Sequence, residues 1–114
     1  MAAIILAASI AMVAVLAWMS IAFSRRVAPG VRLPMQWGFD GRPTWYARRA
    51  VALAFTPGLA AVIAVSIGLS AGWTGAPSAG ALLGVVGLVG SGFLAAHAAH
   101  LYLLSRWLKS QPPA

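Results

Sequence analysis

Two histidines lie three residues apart in an otherwise apolar segment, in the tetrapeptide HAAH. On a helix, His97 and His100 would project about 60° apart and so share one side. Histidine inside a membrane span is costly and often functional, so either imidazole could be an axial ligand of a haem or a chlorophyll-type pigment. The alternative is hydrogen bonding near the end of a span. The pattern favours hydrogen bonding, and we expect no cofactor.

Acidic residues and thiols, which carry much of enzyme chemistry, are nearly absent from this sequence. Asp40 is the one acidic residue, and there is no cysteine. This excludes paired-carboxylate catalysis, thiolate nucleophiles and thiolate metal sites. We therefore expect a protein that is not an enzyme and holds no metal.

The elements that carry these residues are strongly apolar. Of the 114 residues, 61% are hydrophobic and 8% are charged, and the mean hydropathy is +0.89. A soluble domain has about 25% charged residues, whereas a membrane-spanning helix needs about 20 apolar ones. The sequence predicts an all-α integral membrane protein, a single domain over 1–114 with three transmembrane helices. The predicted segments are helices at about 2–24, 45–70 and 79–106, a compact cytoplasmic loop at 25–44, an outer loop at 71–78 and a tail at 107–114.

The net charge of +7 predicts an orientation. With three spans, the first loop and the C-terminus share one side, and the basic residues lie there, which the positive-inside rule makes cytoplasmic. We expect a multi-pass protein of the bacterial inner membrane with its N-terminus outside and its C-terminus cytoplasmic. Anionic lipid headgroups are expected partners on that side, and no motif indicates nucleic-acid binding. The basic residues are Arg25, Arg26, Arg32, Arg42, Arg48, Arg49, Arg106 and Lys109.

The first loop contains the polar and aromatic stretch LPMQWGFDGRPTWYARR, residues 33–49. Pro34 and Pro43 cannot continue a helix and bracket a non-helical insert. Asp40 followed by Gly41 predicts a tight turn, in a short hairpin or compact loop. We expect Thr44 to cap the N-terminus of the second helix.

We expect this loop to be a compact cap that holds a partner. Asp40 would form an ion pair with Arg48 or Arg49, while Trp37 and Phe39 would bury apolar faces at the membrane interface. Tryptophan, tyrosine and arginine are the residues that most often anchor protein interfaces.

The order of residues in this loop resembles a small domain of unknown function at the start of bacterial immunity proteins of the sporulation-delaying-toxin type. The resemblance covers the first helix, the loop and the start of the second helix. Gln36 stands where that family usually has a histidine. The resemblance implies a factor that protects against a membrane-active peptide toxin. The matching positions, together with Asp40, form the predicted interaction loop: Pro34, Gln36, Trp37, Gly38, Gly41, Pro43, Tyr46 and Arg49.

Small residues form a stripe along the third helix, where they would let helix backbones approach closely in lipid. We expect this stripe to pack against the first or second helix, or against another protein. Its members are Gly80, Gly84, Gly87 and Ser91. In the second helix, Pro57 removes a backbone hydrogen bond and permits a kink, with Thr56 able to satisfy the freed carbonyl.

These observations predict a small membrane protein that works by contact. The leading hypothesis is an accessory or regulatory subunit that binds a larger membrane protein or assembly. The alternative is the immunity-like factor. A third hypothesis is a haem- or pigment-binding subunit that uses His97 or His100.

Overall fold

The computed structural model describes residues 2–73 and 78–112, which form three α-helices and one two-stranded antiparallel sheet. Each helix is long and apolar enough to cross a membrane. The prediction of three such helices is confirmed, but the all-α prediction is wrong because the loop after the first helix forms the sheet. In chain order the elements are α1 (Ala2–Ser24), β1 (Arg32–Trp37), β2 (Pro43–Arg48), α2 (Arg49–Trp73) and α3 (Ala79–Ser110).

The helix bounds follow the apolar runs closely, with differences at the ends. The first helix ends where the sequence predicted, whereas α2 begins at Arg49 rather than near residue 45. The third helix continues to Ser110, past the predicted end at 106. The outer loop expected over 71–78 begins within the last turn of α2, and residues 74–77 lie outside the described residues.

Residues 38–42 join β1 to β2 and form a tight turn. The N–H of Gly38 donates to the carbonyl of Arg42 at 2.8 Å, and the N–H of Gly41 donates to the carbonyl of Gly38 at 3.0 Å. Gly41 has a φ of 77°, in the left-handed region that glycine adopts without steric cost. Asp40 Oδ1 accepts the N–H of Arg42 at 3.0 Å. The predicted Asp-Gly turn is therefore confirmed, in the hairpin type that ends in a glycine bulge.

The residues around the turn are strand residues, so of the two predicted forms, a short hairpin or a compact loop, the hairpin is the one that forms. Pro34 and Pro43 both lie in strands. Beyond Pro34 the register shifts and Met35 has no cross-strand partner, an irregularity of the kind where a strand tolerates proline. Thr44 lies in β2 and donates to the carbonyl of Gln36 at 3.2 Å. The predicted N-cap role of Thr44 is wrong because the chain passes directly from β2 into α2.

The ion pair expected for Asp40 is also wrong, and the strand register explains why. Arg48 lies opposite Arg32 at the base of the hairpin. Arg48 is six residue steps along an extended strand from Arg42 at the turn, which is a distance of about 20 Å. Arg49 is the first residue of α2 and is directed toward the end of α1.

The buried core lies between the hairpin and the adjoining ends of the helices. Leu33 and Ala47 are cross-strand partners, and both are buried on the face that packs against the helices. Much of the helix surface outside this region is apolar and open, including Ile10, Val62 and Leu88, which is typical of a surface suited to lipid. The buried cluster contains Phe23, Val27, Leu33, Ala47, Ala52, Leu53 and Leu104.

Candidate interaction surface at the hairpin end of the bundle

His100 of α3 contacts the hairpin through a hydrogen bond and a ring contact. His100 Nε2 lies 3.1 Å from the carbonyl oxygen of Pro34, to which it donates. The same ring meets Trp37 edge to face, with the ring centroids 5.8 Å apart and the planes at 76°. The side chain of Pro34 is fully buried. Trp37 is half-buried against α3, and its expected role as a contact to a partner stays a prediction.

Arg49 fastens the start of α2 to the end of α1. Its half-buried guanidinium donates through Nη1 to the carbonyls of Val27 at 2.8 Å and Ser24 at 3.4 Å. Carbonyls at a helix C-terminus lack donors within the helix, and a cation is favoured there by the helix dipole. Arg49 thus sets the position of the hairpin base relative to α1.

A hydrogen-bonded group joins α1, α2 and α3 at one point. Because Pro57 has no N–H, the carbonyl of Leu53 loses its usual helical donor. Ser20 Oγ donates to that carbonyl at 2.6 Å and lies 2.8 Å from Nε2 of His97. The hydroxyl has one proton, so His97 donates from Nε2. His97 Nδ1 then has no partner among the described residues.

This junction corrects the prediction for Pro57. The freed carbonyl is satisfied by Ser20 of a neighbouring helix, not by Thr56 of its own. A donor for the freed carbonyl can be predicted from sequence when it lies three or four residues away in the same helix. Ser20 lies 33 residues away, so predicting it requires knowing how α1 packs on α2. The signal in the sequence was a polar serine in one apolar helix and a histidine in another. Ser20 reaches the carbonyl that Pro57 leaves without a donor, and His97 bonds to Ser20.

Both histidines therefore hydrogen bond within the bundle. Each uses its Nε2 atom, His97 toward Ser20 and His100 toward Pro34. A haem or pigment ligated through Nε2 would have to break one of these bonds. Cofactor ligation by His97 or His100 stays a prediction, and the described contacts give each residue a structural role without it.

Three aromatic side chains of the hairpin are exposed. Phe39 at the turn is fully exposed, and Trp45 and Tyr46 are 48% and 43% exposed. The indole N–H of Trp45 donates to Gln36 Oε1 at 3.2 Å, and the ring of Tyr46 lies 5.9 Å from that of Trp107. We call Phe39, Trp45 and Tyr46 the exposed hairpin aromatics. The burial expected for Phe39 is not provided by this chain.

Exposed basic residues lie on the hairpin and on the helix ends beside it. Arg32 and Arg48 are cross-strand partners and both are exposed, although like charges in that position repel each other. Other exposed cations follow α1, occupy the turn and end α3: Arg25, Arg26, Arg42, Arg106 and Lys109. Exposed aromatics combined with cations suit contact with a partner surface that is anionic or amphipathic.

The residues of the predicted interaction loop thus fall into three groups: some contact the helices, some form the turn, and some are exposed. Pro34, Trp37 and Arg49 hold the hairpin to the helices, and Gly38, Asp40 and Gly41 form the turn. Gln36 and Tyr46 are exposed and Pro43 is half-buried. Among the exposed hairpin aromatics, only Tyr46 was in the predicted set.

The small-residue stripe of α3 lies on an open side. Gly80, Gly84, Gly87 and Ser91 are exposed, and a Cβ added at any of these three glycines would meet nothing within 4 Å. The close approach to α1 is made instead at Gly90, where an added Cβ would lie 2.9 Å from Sδ of Met12. The close contact of α3 with α1 is therefore at Gly90 and not at the predicted stripe. Contact of the stripe with another protein stays a prediction.

The resemblance to the toxin-immunity domain rests on residues 33–49 and their flanking helices. Over those residues one side of the hairpin packs against the helices, and Phe39, Trp45 and Tyr46 are exposed. No known family model, curated protein or solved structure matches the chain.

Proposed function

We propose that this chain is a non-catalytic subunit of the bacterial inner membrane that binds a larger membrane protein through the exposed hairpin aromatics. In this proposal α1, α2 and α3 cross the bilayer. The N-terminus is outside, and the hairpin and the C-terminus are cytoplasmic. The positive-inside rule supports that orientation, since all eight basic residues belong to the first connection, the start of α2 or the end of α3.

The observation that carries the proposal is a hairpin that is hydrogen-bonded to the helices and has aromatic side chains left uncovered. Its inner side is fixed by His100, and its base is fixed by Arg49. Phe39, by contrast, contacts so little of the chain that it is fully exposed. A pre-ordered loop loses little conformational entropy when it binds, so its exposed aromatics can contribute most of their burial to affinity.

The disposition of the single carboxylate also supports a binding role. Asp40 accepts a backbone N–H within the turn, whereas His97 bonds to Ser20 and His100 bonds to the Pro34 carbonyl. General acid–base catalysis needs a titratable group within hydrogen-bond reach of the reacting proton. The arrangement of these residues favours contact over chemistry.

A matched pair of phenylalanine variants tests the proposal. The tagged chain is purified from its host membrane in mild detergent after light crosslinking, and co-purifying proteins are quantified by mass spectrometry. Phe39→Ala should reduce recovery of a stoichiometric membrane partner about tenfold, in the range of an interface anchor. Phe55→Ala removes an equally large side chain that is 54% exposed on α2 and should leave recovery unchanged.

Three outcomes would contradict the proposal. They are recovery of the chain without any stoichiometric partner, equal loss with Phe39→Ala and Phe55→Ala, or no loss with either. Deletion of the gene discriminates the immunity-like alternative, because sensitivity to a membrane-active peptide, with partner recovery unaffected by Phe39→Ala, would favour that function instead.

A further inference from the structure

A groove of about 560 Å³ runs between α1 and α2, and all of the described residues that line it belong to these two helices. This volume is within the roughly 300–1,000 Å³ of small-molecule sites. Most of the walls are small or apolar side chains, among them Val13, Ala17, Ile21 and Ala54. A Cβ added to Gly58, which also lines the groove, would meet nothing within 4 Å. The groove therefore has room for an apolar chain beside that glycine.

The length of the groove corresponds to one leaflet of a bilayer. On α2 it extends from Arg49 to Ala61, which is about 18 Å at the helical rise of 1.5 Å per residue. One leaflet contributes about half of the roughly 30 Å hydrocarbon core. With the hairpin at the membrane surface, the groove would reach from the headgroup layer to the middle of the bilayer.

The hairpin end of the groove carries a fixed positive charge. Arg49 lines it, and its Nη1 atom is held by the carbonyls of Val27 and Ser24. No acceptor among the described residues bonds to its Nε or Nη2 atoms. A guanidinium presents several donors in a planar fork that matches the oxygens of a phosphate. Arg49 is thus oriented by the protein and has donors left for an anion.

We infer that the groove binds an acyl chain of an anionic phospholipid whose phosphate is held by Arg49. Charge complementarity favours this occupant over a second copy of the chain. Asp40 is the one acidic residue in the sequence, it lies at the hairpin turn, and no span could bring an anion to Arg49. A phospholipid supplies the apolar chain and the phosphate in one molecule. The inference uses the membrane position proposed above but does not depend on a protein partner.

Native mass spectrometry of the detergent-solubilised protein tests this inference. The protein is titrated with phosphatidylglycerol or with a diacylglycerol of the same acyl chains, which lacks the phosphate. Wild type should bind one phosphatidylglycerol at least about tenfold more tightly, as expected for charge-assisted hydrogen bonds. Gly58→Leu, which fills the groove, should weaken that binding about tenfold. Gly87→Leu makes the same change on the open side of α3 and should leave binding unchanged.

The headgroup contact is tested by a second pair of variants. Arg49→Gln should abolish the preference for phosphatidylglycerol, whereas Arg42→Gln, at the exposed turn, should keep it. Circular dichroism and size-exclusion chromatography establish that the variants are folded. Should Arg49→Gln fail to fold, Gly58→Leu still decides the question.

Several results would overturn the inference. They are equal binding of the two lipids by wild type, equal effects of Gly58→Leu and Gly87→Leu, or full displacement of the lipid by inorganic phosphate, which would mean that the acyl chain contributes nothing. A wild-type dimer that Gly58→Leu converts to monomer without changing lipid binding would assign the groove to a second copy of the chain.

Discussion

Removing the hydroxyl of Ser20 tests whether the junction between α1, α2 and α3 stabilises the bundle. Ser20→Ala leaves the Leu53 carbonyl and His97 Nε2 without their partner, where His97 is fully buried and Ser20 is 5% exposed. An unsatisfied buried group costs about 1–3 kcal/mol, while hydrogen bonds between membrane helices average about 0.6 kcal/mol. For two lost bonds we expect the free energy of unfolding to fall by about 1–3 kcal/mol.

The contribution of the Leu53 carbonyl can be separated by restoring its helical donor. Pro57→Ala supplies an N–H at the position that normally bonds to this carbonyl. In that background Ser20→Ala leaves one group unsatisfied instead of two. The double-mutant cycle should therefore give a coupling energy of about 0.5–1.5 kcal/mol between the two positions.

Unfolding by sodium dodecyl sulfate in mixed micelles, followed by helical circular dichroism, measures these differences. Ser66→Ala is the matched control, because Ser66 Oγ donates to the Val62 carbonyl at 2.8 Å within α2 and is exposed. It should change stability by less than about 0.5 kcal/mol. The reasoning is refuted if Ser20→Ala destabilises no more than Ser66→Ala, or if the cycle gives no coupling.

Further predictions concern the hairpin, the helix contacts and the topology. His100→Leu should raise the rate at which a protease cuts the hairpin about tenfold, through loss of one partly buried hydrogen bond, whereas Tyr102→Leu, at an exposed site, should not. Gly90→Leu should lower stability by about 1–3 kcal/mol because it overpacks the contact with α1, while the open site at Gly84 should accept leucine, and similar losses would contradict this. A periplasm-sensitive reporter should be active at the N-terminus and silent after Lys109; activity after Lys109 would overturn the proposed orientation.

The helices could be predicted because a membrane-length apolar run is a local property of the sequence. Asp40 and Gly41 likewise predict a turn, since the positive φ and the side-chain bond are both contained within three residues. A short hairpin was predicted only as an alternative to a compact loop, and its strand bounds were not predicted, because proline normally weakens a strand assignment. Pro34 is compatible with β1 because of a register shift, which the sequence does not encode in any local pattern.

The contacts between distant segments could not be predicted for a different reason. The bond between Ser20 and His97 joins residues 77 positions apart, and many serines in apolar helices could have been the partner. Likewise, the choice of Gly90 over Gly84 for close approach depends on the rotation of α3 about its axis. Small residues on several sides of the helix allow more than one rotation, so composition alone does not select it.

The place of α3 in the chain has a consequence for biosynthesis. During translation α1, the hairpin and α2 leave the ribosome first, yet His97, His100 and Leu104 supply contacts that complete the junction and the core. Until those residues arrive, the Pro34 carbonyl lacks its donor and the inner face of the hairpin is incompletely covered. A nascent chain stalled before His97 would thus present an apolar hairpin face that the finished protein covers.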